Sequence, residues 1–301
     1  MPNILNFGSL NIDHVYEVDH FVRPGETIQS KSMNLFPGGK GMNQSIALAK
    51  AGATVFHAGK IGTDGQWLLD LLEDNQVNTK YIDKSGCITG TAFIQVDPTG
   101  ENCIILDKGA NGEITEEYID YVLAHFHQGD IIVLQNELNM TECIMEKASK
   151  QGLQIALNPS PIDKKIRSFP LEKVTWLLLN EVEGYELTNE TIPELMMKKL
   201  LLKYPDMKIV LTLGKDGSIY ADQKQHYIQP IYPVKTVDTT GAGDTFTGYF
   251  LGGIAHGYPI KQCLDIAAKA SSIAVTRKGA AVSIPLLSEV LCESECSTSF
   301  G

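Results

Sequence analysis

In the stretch TVDTTGAGDTFTGYF, Thr236 to Phe250, two glycines and an alanine come directly before Asp244, and helix-compatible residues follow it. A glycine-rich turn running into a helix leaves the first N–H groups unpaired, and the helix dipole adds partial positive charge, so the turn is an anion site. Ala242, Gly243 and Asp244 are expected to supply those N–H groups, and Gly241 and Gly243 let an anion approach the backbone without a Cβ in the way. The dipole also favours negative charge in the first turn, which sets a proton acceptor beside the bound anion. Phosphoryl transfer from a nucleotide to a hydroxyl needs those two features adjacent, with a cation to neutralise the developing charge. A tight turn that merely caps a helix with Asp is the commoner origin of such a stretch, since G-A-G-D is neither G-x-x-x-x-G-K-[ST] nor G-x-G-x-x-G.

Four other segments hold groups of the same kind. In FPGGKGMNQ, Phe36 to Gln44, glycines again precede a helix, so that Gly38, Gly39 and Gly41 permit close approach while Lys40 and Asn43 offer donors. In GSLNID, Asn11 and Asp13 alternate along a strand and suit bidentate contacts to hydroxyls; an Asx turn suits them too. LNEVE carries Asn180 and Glu183 at the spacing of a helix capping box. TLGKDG, Thr212 to Gly217, reads as a turn between strands.

The elements that must position these residues alternate. NILNFGS, the helix GMNQSIALAKAGA, TVFHAGKIG and GQWLLDLLED run β-α-β-α, the order of a parallel sheet with helices on both faces. Met42, Ile46 and Ala49 share one face of the first helix, which leaves Lys50 outside. The rhythm continues through DIIVLQ, a helix from about Met140 to Lys150, LQIALN, TWLLLN, a helix around Leu195 to Leu202, and KIVLTLG, and it closes with helices at Gly243 to His256 and Ile260 to Thr276. The stripe ELMMKKLLLK reads as core packing. Two regions, HVYEVDHFVRPGETIQSKSMN and TGTAFIQVDPTGENCIILD, alternate without helices and are expected to form small antiparallel strands that flap over the sheet. One α/β domain over residues 1–301, with lid strands inserted at about 13–35 and 88–107, is the economical organisation.

The 301 residues are 43% hydrophobic, enough for a sizeable core. A formal charge of -11, from 25 basic and 36 acidic residues, argues against nucleic-acid or anionic-membrane partners. No apolar run approaches the roughly 18 residues that span a bilayer, and MPNILNFGSLNID lacks the pattern of a signal peptide, so a cytoplasmic protein is expected. Cys87, Cys103, Cys143, Cys263, Cys292 and Cys296 are scattered and read as reduced thiols, mostly core filler. The polar tail CESECSTSFG is expected to fray.

From GSLNIDHV to AVTRKGAAVSIP the chain resembles the ribokinase family of ATP-dependent sugar kinases. The resemblance implies a three-layer ribokinase-like fold, with a central, mostly parallel sheet and a small β-stranded lid. It implies that Asn11, Asp13, Gly39, Lys40 and Asn43 bind the sugar, with Glu137 of LQNEL holding hydroxyls, and that Gly241, Ala242, Gly243 and Asp244 carry the anion hole and the base. On the nucleotide side, Asn180 faces the phosphates and Glu183 organises Mg2+ through water, while Thr212, Gly214 and Gly217 hold the nucleotide. Ala268 stands where relatives often have a polar residue near the adenine, which implies a base held mainly by packing. Met42 replaces a smaller residue and is expected to face away from the sugar. The segment AVTRKGAAVS implies a monovalent cation, K+, ringed by carbonyls of Thr240, Ala274, Arg277 and Gly279 and side-chain oxygens of Asp238 and Ser283. A homodimer through exposed lid edges is implied as well.

The expected reaction is transfer of the γ-phosphoryl group of ATP to the 5-hydroxyl of D-ribose. The competing readings are a kinase of the same family for deoxyribose, a fructose derivative or a nucleoside, and a nucleotide- or sugar-binding regulator without catalysis. A dinucleotide-binding oxidoreductase is a remote third, because no G-x-G-x-x-G follows the first strand.

Overall fold

The computed structural model describes residues 1–292. From the amino terminus the chain forms β1 (Ile4–Phe7), β2 (Asn11–Glu17), β3 (Ser32–Gly38), α1 (Lys40–Lys50), β4 (Val55–Lys60), α2 (Gln66–Asp74), β5 (Asn78–Asp83), β6 (Gly90–Val96) and β7 (Asn102–Asp107). It continues through α3 (Glu116–Leu123), β8 (Ile131–Gln135), α4 (Thr141–Lys150), β9 (Gln154–Asn158), β10 (Val174–Asn180), α5 (Glu181–Thr188), α6 (Pro193–Lys203) and β11 (Lys208–Thr212). The last elements are β12 (Ser218–Ala221), β13 (His226–Gln229), α7 (Ala242–Ala255), α8 (Ile260–Ala274) and α9 (Leu287–Cys292).

The central sheet has the order β13-β12-β11-β10-β9-β8-β1-β4-β5. Its strands are parallel except at one edge, where β12 and β13 pair antiparallel. Both faces are buried, and successive residues choose opposite sides: Ile131 and Val133 join one apolar cluster, with α1, α7 and α8, while Ile132 and Leu134 join the other, with α4 and α6. That is the expected three-layer α/β fold. Met42 is fully buried in the first cluster. Lys50 is not simply outside; it is half-buried and its Nζ donates to the carbonyl of Ile284 at 2.7 Å. In α6, Met196, Met197 and Leu200 are core, whereas Leu195 and Leu202 face solvent.

Strands β3-β2-β6-β7 form a second, four-stranded sheet, the lid. The expectation of purely antiparallel strands is corrected at its centre, where β2 and β6 pair in parallel. This pairing is available because the strands come from separate insertions rather than from one hairpin. Met33, Leu35, Phe36, Phe93, Ile104, Ile105 and Leu106 leave the lid with exposed apolar surface. The cysteine expectation is also corrected: Cys263 is buried, but Cys87, Cys103 and Cys292 are exposed and Cys143 is intermediate. Cys296 and the tail from residue 293 lie outside the described residues. Among the described residues, no helix is long and apolar enough to cross a membrane.

Chain direction fixes where chemistry can collect. The first strands run β1, β4, β5 to one side, and the chain then returns to β8 beside β1 and proceeds the other way. Crevices at such a reversal, at the carboxyl ends of the strands, are where open α/β sheets bind ligands. Ser9, Glu137, Asn158, Asn180 and Thr212 stand at or just past the carboxyl ends of β1, β8, β9, β10 and β11.

Candidate active site

Helix α7 starts without a side-chain cap. Its N-cap, Gly241, has φ 75, in the left-handed region, and a Cβ there would lie 3.0 Å from Cα of Ala280. Glycine is therefore required twice over at this turn, for its backbone angle and for the close approach of the 280 segment. At Gly243 a Cβ would project into open space, with no packed side chain or neighbouring segment within 4 Å. The N–H groups of Gly243 and Asp244 have no partner among the described residues. The third expected donor is corrected: the Ala242 N–H already donates to the Thr239 carbonyl at 3.2 Å.

Asp244 is buried, and its orientation comes from the packing of α1 on α7. Gly248 and Gly252 follow Asp244 at helical spacing, and a Cβ on them would lie 2.3 Å from Cβ of Ala47 and 2.7 Å from Cβ of Ala51. The two helices touch backbone to backbone along this face, which carries the start of α1 onto Asp244. Asn43 Nδ2 donates to Asp244 Oδ2 at 3.0 Å and Gln44 Nε2 to Oδ1 at 2.9 Å. Asn43, expected as a sugar donor, thus directs its Nδ2 at the carboxylate; its Oδ1 is buried without a partner among the described residues.

The lid and the loop before α1 assemble the second cluster. Asn11 and Asp13 point to the same side of β2. Asn11 Oδ1 accepts from Asn111 Nδ2 at 2.7 Å, and Asn111 is itself clamped to the main chain of Leu10 through both ends of its amide. The Asp13 carboxylate occupies the space over Gly38, where a Cβ would lie 2.2 Å from its oxygens. Glu137 Oε2 accepts from the Lys40 N–H at 2.9 Å and from the Ser9 hydroxyl. The close approach expected at these glycines is made by protein: Gly38 makes room for the Asp13 carboxylate and Gly41 for the main chain of Gly8 and Ser9. Gly39, at φ 90, is the N-cap of α1.

These groups share one electrostatic neighbourhood. Burial, reinforced by the Glu137 charge, pushes the Asp13 carboxyl up to about 7. Burial also raises Glu137 and Glu183. Burial works against the charge of Lys40, but the carboxylates of Asp244, Glu137 and Glu183 outweigh it and hold its ammonium above the ordinary value.

A cleft of about 250 Å³, lined by Lys40, Asn158, Glu183, Gly243, Asp244 and Thr247 among others, lies against the start of α7. It meets a second cavity, of about 360 Å³, at Thr212, Thr239, Gly243 and Phe246. The second is largely apolar, with Ile231, Val234, Ala268 and Val275 in its walls and Gly214 and Gly217 at its rim. One continuous trough thus has a polar, charged end and an apolar end, the division a nucleoside triphosphate has. Asn180 and Glu183 form the capping box of α5: the Glu183 N–H donates to Asn180 Oδ1 at 3.0 Å and the Asn180 N–H to Glu183 Oε2 at 3.0 Å. No group of three His, Cys, Asp or Glu suited to a metal ion is found among the described residues. The Glu183 and Asp244 carboxylates on one cleft nevertheless fit a hydrated Mg2+, an ion that keeps several waters and uses one or two carboxylates plus phosphate oxygens.

The segments expected to hold a monovalent cation also meet. Asp238 accepts from Thr240 N–H at 2.9 Å and Oγ1 at 2.7 Å through one oxygen, and from Gly279 N–H at 2.9 Å through the other. These bonds overcome partial burial and hold its carboxyl below the usual range. The carbonyls of Thr240, Arg277 and Gly279 accept no hydrogen bond among the described residues, a donor set of the kind a weakly charged cation takes. Of the other two expected ligands, the Ala274 carbonyl accepts from Arg277 N–H and keeps a second lone pair, and Ser283 Oγ donates its proton to the Ala280 carbonyl and keeps its own lone pairs.

Of the residues expected at the site, Lys40, Asn180, Glu183, Thr212, Gly214, Gly217, Gly241, Ala242, Gly243, Asp244 and Ala268 line the two cavities. Sequence reasoning passed over Gln44, Asn111, Gln135 and Asn158. Gln44 carried a signal, as the neighbour of Asn43 in GGKGMNQ; Asn111 and Asn158 sit in loop or strand-end positions that composition does not mark.

This fold and trough define a small-molecule kinase, and comparison with known proteins gives its family. Residues 1–287 match the pfkB family of carbohydrate kinases, and the chain belongs to that family, whose activity is ATP-dependent phosphorylation of sugars. The ribokinase of Bacillus subtilis (strain 168) is 36% identical over 295 residues, covering 96% of this chain and 98% of that protein. Among solved structures, the ribokinase of Arabidopsis thaliana complexed with ribose and ATP is 29% identical with a TM-score of 0.86, over 97% of this chain and 98% of that one. The ribokinase of Cryptococcus neoformans var. grubii serotype A in complex with ADP is 33% identical with a TM-score of 0.85, over 97% and 100%.

Proposed function

We propose that the chain is a ribokinase, one α/β kinase domain that transfers the γ-phosphoryl group of ATP to the 5-hydroxyl of D-ribose, with Asp244 as general base. The observation that carries this reading is the place of Asp244, at the uncapped start of α7 and lining the polar cleft with Lys40, whose ammonium interacts with both Asp244 and Glu137. In the reaction, the 5-hydroxyl proton passes to a free lone pair of the Asp244 carboxylate as its oxygen bonds to the γ-phosphorus. The bond from that phosphorus to the β–γ bridging oxygen breaks, and ADP leaves. The N–H groups of Gly243 and Asp244 and the Lys40 ammonium face the charge that develops on the transferred group. Glu183 would hold Mg2+ through water, and the ion would supply positive charge to the phosphate oxygens of ATP. A K+ ion held by Asp238 and the carbonyls of Thr240, Arg277 and Gly279 would order the turn that leads into Gly241.

Asn11, Asp13 and Glu137 suit a small polyhydroxylated furanose, and none of the residues of this cluster is an arginine that would clamp a sugar phosphate. Closure of the lid over the sugar would exclude water and protect ATP from hydrolysis. The exposed apolar residues of the lid, and the full exposure of β7, support a homodimer through that sheet.

A panel of pentoses, hexoses and nucleosides assayed with Mg2+ and ATP tests the substrate. Buried polar groups reject analogues that leave them unpaired, so loss of the 2-hydroxyl is expected to reduce kcat/KM by roughly tenfold or more. Deoxyribose phosphorylated as efficiently as ribose would move the assignment to a deoxyribokinase.

A further inference from the structure

Beneath Asp244 a chain of buried polar side chains runs through the core of the sheet. Gln44 Nε2 donates to Asp244 Oδ1, and Gln44 Oε1 accepts from Gln135 Nε2 at 2.7 Å. The other proton of Gln135 Nε2 goes to Asn6 Oδ1 at 3.1 Å. Asn6 Nδ2 donates to Ser45 Oγ at 2.9 Å and to the Gly41 carbonyl at 2.7 Å. Ser45 Oγ is 2.7 Å from His57 Nδ1, and His57 Nε2 is 3.2 Å from the Gly8 carbonyl. Asn6, Gln44, Ser45 and His57 are all fully buried.

The donor directions along this chain are forced. A carbonyl only accepts, so His57 Nε2 carries its proton; neutral His57 then accepts at Nδ1 from the Ser45 hydroxyl, and Ser45 accepts from Asn6. Asn6 must present its oxygen to Gln135, and Gln135 presents its nitrogen to Gln44. Gln44 is left with its NH2 toward Asp244. Reversing the Gln44 amide would set its oxygen against a carboxylate and its nitrogen against the nitrogen of Gln135.

The chain is not an efficient way to stabilise a core. Gln135 Oε1 is buried with no hydrogen-bond partner among the described residues, as is Asn43 Oδ1. An orphaned buried acceptor costs about 1–3 kcal/mol, and a partly satisfied polar network is worse than apolar packing of the same shape. What the amides add over apolar packing is direction: they hold one oxygen of Asp244 against a donor that cannot rotate.

We propose that Gln44 is a positioning residue that fixes the Asp244 carboxylate for proton abstraction, and that Gln135 acts on Asp244 through Gln44. The inference rests on Asp244 being the base. A misplaced catalytic group loses turnover more than binding, because substrate contacts are unaffected while the attack geometry is not.

The test is steady-state kinetics of Gln44→Met, Gln135→Met and the double variant, with Mg2+, ATP and the sugar of highest kcat/KM. Gln44→Met is expected to lower kcat by roughly 10- to 100-fold with both KM values little changed. Gln135→Met is expected to lower kcat in the wild-type background and to add nothing in the Gln44→Met background, the signature of one residue acting through another. Wild-type kcat in folded Gln44→Met, or a Gln135→Met effect of equal size in both backgrounds, overturns the proposal. If Gln44→Met does not fold, Gln135→Met alone decides: lowered kcat at unchanged KM supports the proposal and unchanged kcat sinks it. Failure of the base itself is distinguishable, because Asp244→Asn would then retain turnover.

Discussion

Asn43 and Asp244 are 201 residues apart in the chain and 3.0 Å apart in the structure, amide nitrogen to carboxylate oxygen. With Gln44 on the other oxygen, each carboxylate atom has one fixed donor and keeps free lone pairs for a substrate hydroxyl. Asp244→Asn removes the proton acceptor and also turns an NH2 against one of those donors. Turnover is expected to fall roughly 10²- to 10⁴-fold, with sugar and nucleotide binding by calorimetry changed far less. Near-wild-type turnover would reduce Asp244 to a helix cap.

The closeness of α1 and α7 is a second handle. In Gly248→Ala, higher helix propensity would favour the variant by up to about 1 kcal/mol, but the new Cβ would lie 2.3 Å from Cβ of Ala47 and 2.8 Å from its carbonyl carbon. Backbone cannot yield as a flexible side chain can, so the clash prevails and stability is expected to drop by about 1–3 kcal/mol. Moving the helices apart also lengthens the Asn43–Asp244 contact, so kcat should fall further than KM rises. Unfolding by urea together with kinetics checks both; a variant with wild-type stability and kcat would show that the helices have slack.

Asp13 makes sugar binding depend on pH. Its carboxyl is pushed up to about 7 by burial and by Glu137, and only the ionised form accepts hydroxyl protons with both oxygens. Ribose affinity is therefore expected to weaken roughly tenfold as pH falls from 8 to 6, and Asp13→Asn to bind weakly at both. The sign for stability of the free protein is the reverse of the usual carboxylate case. With a folded value above the unfolded one, the Asp13 contribution is full below about pH 4 and lost as pH rises through 7. Titration calorimetry of ribose at several pH values reads the first effect; a pH-independent affinity would remove Asp13 from the sugar site.

His57 pulls the opposite way. Full burial lowers its imidazole from 6.5 to about 4, against the raising effect of the Gly8 carbonyl. The unfolded chain binds a proton that the folded chain refuses, so this contribution is present above pH 6.5 and lost as pH falls toward 4. It amounts to about 3 kcal/mol when complete. Urea midpoints at pH 7.5 and 5 are expected to differ less in His57→Gln than in the wild type, and an unchanged difference would refute the assignment.

The monovalent site predicts that K+ raises activity several-fold over Na+ or a bulky organic cation at equal ionic strength. Asp238→Ala removes the hydrogen bonds that join Gly279 to Thr240 through one carboxylate and should abolish that preference. Indifference of the wild type to the ion, with Asp238→Ala behaving normally, would remove the ion while leaving the kinase assignment standing.

The sequence by itself determined the layered fold and the positions of the turns that carry chemistry. Short apolar runs and period-3.6 helices are local patterns, and the glycines before Lys40 and Asp244 mark local backbone requirements, so both are legible along the chain. It also carried the family, through short motifs whose spacing survives in the linear order. Only the tertiary structure decided what each group touches. That Gly38 and Gly41 make room for protein while Gly243 faces open space depends on which strand or helix lies opposite. That the Ala242 N–H is already taken depends on the path of the Thr239 turn. The parallel β2–β6 pair depends on how two distant insertions meet. The amide chain from His57 to Asp244 draws on β1, α1, β4, β8 and α7, and no periodicity records it, because hydrogen-bond direction is set by neighbours in space.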